Sequence, residues 1–141
     1  MRPQTTEMTS SARPNSAKDA FSPARVGTLV VVGGILGIAL SLVAHFSLSV
    51  HSLSGPGGAF IALVMGLTYG AISPGPTGRA ALGGALTGAG SAFAGILLGF
   101  LLHDQPWIML GAGSLGGAVA GMIGALVGRR IQWRRRVTTH V

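Results

Sequence analysis

Three histidines and one carboxylate are the residues of this chain best equipped for chemistry. His45, His51 and His103 fall with Asp104 at the ends of apolar runs or between them. Imidazole nitrogens beside a carboxylate form the donor set of many transition-metal sites, and imidazole titrates near neutrality. Their spacing argues against a site. No H-E-x-x-H or comparable pair places two ligands on one helix face, and polar residues of this kind commonly cap helix ends at a bilayer surface. The expectation is no metal and no cofactor. Acid–base hydrolysis by paired carboxylates is disfavoured too, because Glu7 and Asp19 lie in a polar N-terminal stretch far in sequence from Asp104. With no cysteine there is neither a disulfide nor a thiolate nucleophile nor a Cys-ligated metal. The chain reads as a non-enzyme.

The elements around these residues are apolar to a degree that a water-soluble surface does not allow. Hydrophobic residues make up 48% of the chain and charged residues 9%, against about 25% charged in a soluble domain. Charge-free runs occupy residues 26–46, 58–72, 80–102 and 106–128. At about 1.5 Å per residue the first covers about 31 Å, enough for the hydrocarbon core. Residues 58–72 reach only about 22 Å and form the short span of the set. Gly55-Pro56-Gly57-Gly58 is read as the break before it, and Ser73-Pro74-Gly75-Pro76 as the turn after it. Only His103, Asp104 and Gln105 separate the last two spans, which makes them an antiparallel hairpin with Pro106 in the first turn of the fourth helix. The fold class that follows is all-α: a polytopic membrane protein with four transmembrane helices in a glycine-rich, close-packed bundle.

Small residues recur at every third or fourth position and carry most of the sequence's specific information. Gly33, Gly37 and Ser41 form such a row in the first span, and Gly58, Ala62, Gly66 and Gly70 in the second. The third carries Gly84, Gly88, Ser91, Gly95 and Gly99. The fourth carries two rows, Gly113, Gly117, Gly121 and Ala125 beside Gly116, Ala120, Gly124 and Gly128. Residues so spaced share one helix face, and without side-chain bulk two helix backbones approach closely and gain van der Waals contact in lipid. Leu82, Leu86, Phe93, Leu97 and Phe100 in the third span, and Leu115, Val119, Met122 and Leu126 in the fourth, fall on faces predicted to meet lipid. Two uses of the glycine rows stay open: packing one bundle, or additionally joining it to copies of itself or to a larger membrane complex. The third and fourth spans also share the pattern Leu-Gly-Gly-Ala with Gly, Ala and Gly following, at Leu82 and again at Leu115. Either internal duplication or shared composition accounts for this.

The spans hold no Asp, Glu, Lys or Arg, and no His deep within them, although proton relays and ion-coupled carriers depend on such groups. Their polar atoms are hydroxyls such as Thr68, Tyr69, Thr87, Ser91 and Ser114, which in lipid commonly bond to backbone carbonyls. The ten basic residues all lie outside the spans, in the two tails and at Arg79, and none lies in the two opposite loops. By the positive-inside rule this bias predicts cytoplasmic termini, and the expected location is a bacterial cytoplasmic membrane. It also accounts for the formal net charge of +7 without a nucleic-acid partner. Arg129, Arg130, Arg134, Arg135 and Arg136 crowd a basic C-terminal tail, residues 129–141, suited to anionic lipid headgroups. Residues 1–24, rich in Ser, Thr and Pro, read as a disordered tail. Trp107 and Trp133 sit where interfacial aromatic belts would lie. The function read from this pattern is a structural or accessory membrane component that packs and oligomerises through small-residue faces. The alternative is a small oligomeric pore, including one of the lysis type.

Overall fold

The computed structural model describes residues 22–47, 54–73 and 75–138, nearly all of them helical. The helices are α1 (Pro23–Phe46), α2 (Ser54–Ile72), α3 (Thr77–Leu101) and α4 (Ile108–Thr138). Each is long and apolar enough to cross a membrane, so the chain is a multi-pass membrane protein. The N-terminal segment read as disordered lies outside the described residues, apart from its last three positions, and so does His51.

Helix boundaries differ from the sequence reading most at the start of α2 and the end of α4, and α4 begins at Ile108, so Pro106 precedes the helix instead of sitting in its first turn. α2 begins at Ser54 rather than near residue 58, because Pro56 falls in the first turn, where the missing N–H of proline is not needed. Its 19 residues therefore span about 28 Å, close to the hydrocarbon thickness of about 30 Å. α4 does not stop at Gly128. It runs for 31 residues, about 46 Å, so the arginine-rich segment read as a tail continues the helix beyond the core. Arginine is a good helix former, and its charge suits a helix C-terminus.

Local chemistry explains the remaining ends. α1 opens with Pro23 at its first position and closes at Ser47, whose backbone is extended. Gly75, at φ 133°, makes the turn between α2 and α3. α3 closes with a Schellman arrangement: the His103 N–H donates to the Phe100 carbonyl and the Asp104 N–H to the Gly99 carbonyl, at 3.0 and 2.9 Å. The residue in the left-handed position is His103, φ 61°, where glycine is usual.

The bundle has an arginine end, where Arg25, Arg79 and Arg129 lie, and a histidine end, where His45, His103 and Asp104 lie. α3 is central and packs on all three other helices, while α1 and α4 barely meet. α1 hangs mainly on α3 through its glycine face, and its opposite side, with Val31, Ile35, Leu42 and Phe46, stands outward. The Arg25 guanidinium donates to the Ile72 carbonyl at 3.2 Å, which ties the start of α1 to the last turn of α2.

Candidate functional site

With no reactive cluster in the spans, the places that can carry function are the helix seams and the two ends. The seams are built backbone against backbone. A side chain at Gly88 would strike the Gly117 carbonyl and stand 2.9 Å from the Gly121 Cα; one at Gly121 would strike the Gly84 carbonyl. Gly84 also lies against the Ala125 methyl, and Gly117 against the Ala92 methyl. Replacing each α3 residue by the α4 residue thirty-three positions later, and the reverse, maps each of these contacts onto another. The seam thus has local two-fold pseudosymmetry: the second glycine of each Leu-Gly-Gly-Ala copy, Gly84 or Gly117, packs on the Gly and Ala that follow the other copy, Gly121 and Ala125 or Gly88 and Ala92.

α2 closes the third side of this seam. Gly66 lies against the Gly121 carbonyl and Gly70 against the Ala125 carbonyl, while Gly124 and Gly128 lie against the carbonyls of Leu63 and Leu67. The two rows of α4 therefore meet two neighbours within one chain: Gly113, Gly117 and Gly121 face α3, and Gly124 and Gly128 face α2. On the far side of α3, a side chain at Gly95 would stand 3.2 Å from the Gly37 backbone, and Gly33 lies against Ser91. Three of the predicted packing residues meet side chains instead of a neighbouring backbone, Gly33 against Ser91 and Met65 being the first. Gly99 lies beside the Gln105 side chain of its own connecting turn, and Gly113 lies against the flexible end of Ile96.

Gly83 completes the α2–α3 contact by making room for the Tyr69 ring. No spacing rule marked it, although a lone tyrosine in a span of small residues needs a gap opposite. Tyr69 is 1% exposed, and its hydroxyl has no hydrogen-bond partner among the described residues. The other span hydroxyls are satisfied by carbonyls one turn back: Thr87 to Gly83 at 2.7 Å, Ser91 to Thr87 at 2.8 Å, Thr68 to Val64 at 2.9 Å and Ser114 to Leu110 at 2.6 Å. Ser41 reaches across the seam to the Gly95 carbonyl at 2.9 Å. The bulky faces point outward: Leu82, Leu86, Phe93, Leu97 and Phe100 on α3, and Leu115, Val119 and Met122 on α4.

No family model, curated protein or solved structure matches this chain.

At the histidine end the His45 Nδ1 and Asp104 Oδ2 lie 2.7 Å apart, joining the last turn of α1 to the α3–α4 turn. Among the described residues no three metal-ligating side chains converge. A crevice of about 240 Å³ opens here between all four helices, lined by Ser41, Ser91, Gln105 and small residues of α2 and α4. Around it Gly55, Gly58, Gly111 and Gly116 have open space where a side chain would stand.

At the arginine end a groove of about 790 Å³ lies between the start of α3 and the last turns of α4. Its walls are Thr77, Ile123, Leu126, Val127, Arg129, Arg130, Trp133 and Arg134. Arg135 and Arg136 continue the backbone of the same helix. Trp107 and Trp133 are strongly exposed at opposite ends of the bundle.

Proposed function

We propose that this chain is a non-catalytic structural or accessory protein of a bilayer, with its arginine end in the cytoplasm and its histidine end across the membrane. What carries the reading is the use to which polar and small groups are put. Span hydroxyls other than that of Tyr69 are spent on backbone carbonyls, the glycine rows near the arginine end are spent on neighbouring backbones, and no Asp, Glu, Lys, Arg or His lies deep in a span. Such a bundle offers a shaped surface and an orientation rather than a reaction. Self-association then falls to the histidine end, where Gly55 and Gly58 of α2 and Gly111 and Gly116 of α4 are unfilled. The ten basic residues, confined to one side of the membrane pattern, support the orientation and a bacterial cytoplasmic membrane as the location.

The crevice at the histidine end favours a second reading, a small oligomeric pore, because it is lined by all four helices and reaches Ser91. Reconstitution into dye-loaded liposomes separates the two. Tight vesicles holding a stable oligomer, dissociated by Gly116→Leu without loss of the monomer fold, are expected. Leakage that rises with protein content would replace the structural reading with the pore.

A further inference from the structure

We propose that the groove at the arginine end is a binding site for one anionic phospholipid, its phosphate on Arg129 and Arg130 and an acyl chain along Ile123, Leu126 and Val127. The inference rests on the membrane reading above, and it turns a diffuse attraction between basic residues and headgroups into a defined site. The groove's volume of about 790 Å³ falls in the range of about 300–1,000 Å³ typical of ligand sites. Its α4 wall is sorted by polarity along the helix axis. Ile123, Leu126 and Val127 come first and Arg129, Arg130 and Arg134 follow, so at about 1.5 Å per residue the first cationic position lies about 3 Å beyond the last apolar one and about 9 Å beyond the first. A phospholipid presents its chain and then its phosphate in that order. Trp133 stands in the same wall, where an amphipathic ring suits the headgroup level.

Charge selects the headgroup. The only side-chain carboxylate among the described residues is Asp104, at the opposite end of the bundle. The guanidinium fork matches phosphate oxygens two at a time. On the facing wall Thr77 opens α3, where Pro76 supplies no side-chain cap, so the positive end of that helix adds to the field. A zwitterionic lipid brings a cation of its own, which the arginines repel. A free phosphate satisfies the arginines and leaves the apolar half of the groove unused.

Tryptophan quenching by brominated acyl chains reads this site directly. Trp107→Phe leaves Trp133 as the single reporter. The variant is reconstituted in phosphatidylcholine vesicles containing a small fraction of brominated phosphatidylglycerol or brominated phosphatidylcholine. Brominated phosphatidylglycerol should quench more strongly at equal fraction. Arg129→Gln or Arg130→Gln should each lower that preference about fivefold (about 1 kcal/mol), until the two lipids quench alike. Val127→Phe, which keeps every charge and fills the apolar floor, should lower it too. Equal quenching in the parent, or a preference unchanged in Val127→Phe, would overturn the site while leaving membrane insertion intact. Loss of the preference on adding inorganic phosphate at constant ionic strength would reassign the arginines to a free anion. Absence of quenching by either lipid would instead overturn the membrane reading.

Discussion

Gly121→Ala and Gly116→Ala place the same methyl group on the same helix, five positions apart, and should change stability in opposite directions. At Gly121 the new Cβ would stand 2.9 Å from the Gly88 Cα, 3.0 Å from the Gly88 nitrogen and closer still to the Gly84 carbonyl oxygen. All three are backbone atoms of a packed helix, so no rotamer change relieves the clash. Gly66 of α2 presses on the Gly121 carbonyl, which limits retreat in that direction. Ordinary contact begins near 3.4 Å, so the Gly84 carbonyl oxygen forces the seam to open by roughly 1 Å, which forfeits about half of each contact's dispersion energy. Overpacking of this kind costs about 1–3 kcal/mol, offset by at most about 1 kcal/mol from alanine's better helix propensity. The expected net loss is roughly 1–2 kcal/mol. Gly116 has nothing within 4 Å of the added methyl, so there the propensity gain stands alone, about 0.5–1 kcal/mol of stabilisation. Reversible SDS titration in mixed micelles, followed by circular dichroism under monomeric conditions, measures both. A Gly121→Ala variant as stable as the parent, or one less damaging than Gly116→Ala, would refute the backbone-on-backbone seam.

Tyr69→Phe removes a buried hydroxyl that has no partner among the described residues, and it should leave stability unchanged or raise it by about 1 kcal/mol in the same titration. At His103, φ 61°, glycine should be tolerated while His103→Val should lose roughly 1–2 kcal/mol, because a β-branched residue resists the left-handed region; equal melts for the two would refute the cap. With cytoplasmic termini, an impermeant thiol reagent applied to intact cells should label Ser54→Cys and not Thr138→Cys, and the reverse pattern would invert the orientation.

Composition and spacing determined much about this protein on their own. Four charge-free runs, the short connection at residues 103–105 and the turn residues around Pro74 were enough for four helices and an α3–α4 hairpin, because a bilayer leaves a charge-free run of sufficient length little choice but a spanning helix. Separation of small from bulky residues likewise marked the outward faces of α3 and α4, where Leu82, Phe93, Leu115 and Val119 stand exposed. Helix ends were less legible. Gly55 to Gly58 reads as a break, yet a proline in a first turn is compatible with helix, and the arginines after Gly128 carry no stop signal at all. Tertiary structure alone decided which face meets which. A row of glycines names a surface that another backbone can approach and says nothing about whose backbone, since close packing in lipid lacks the charge or shape code of a polar interface. Only the assembled bundle puts Gly121 between Gly66 and Gly88, sends Gly124 and Gly128 of α4 to α2, and brings His45 to Asp104 across fifty-nine positions of chain. The groove that sets Arg129 and Arg130 beyond Ile123 and opposite Thr77 arises in the same way, because its two walls are distant in sequence and meet only when α3 and α4 pack antiparallel along their shared glycine seam.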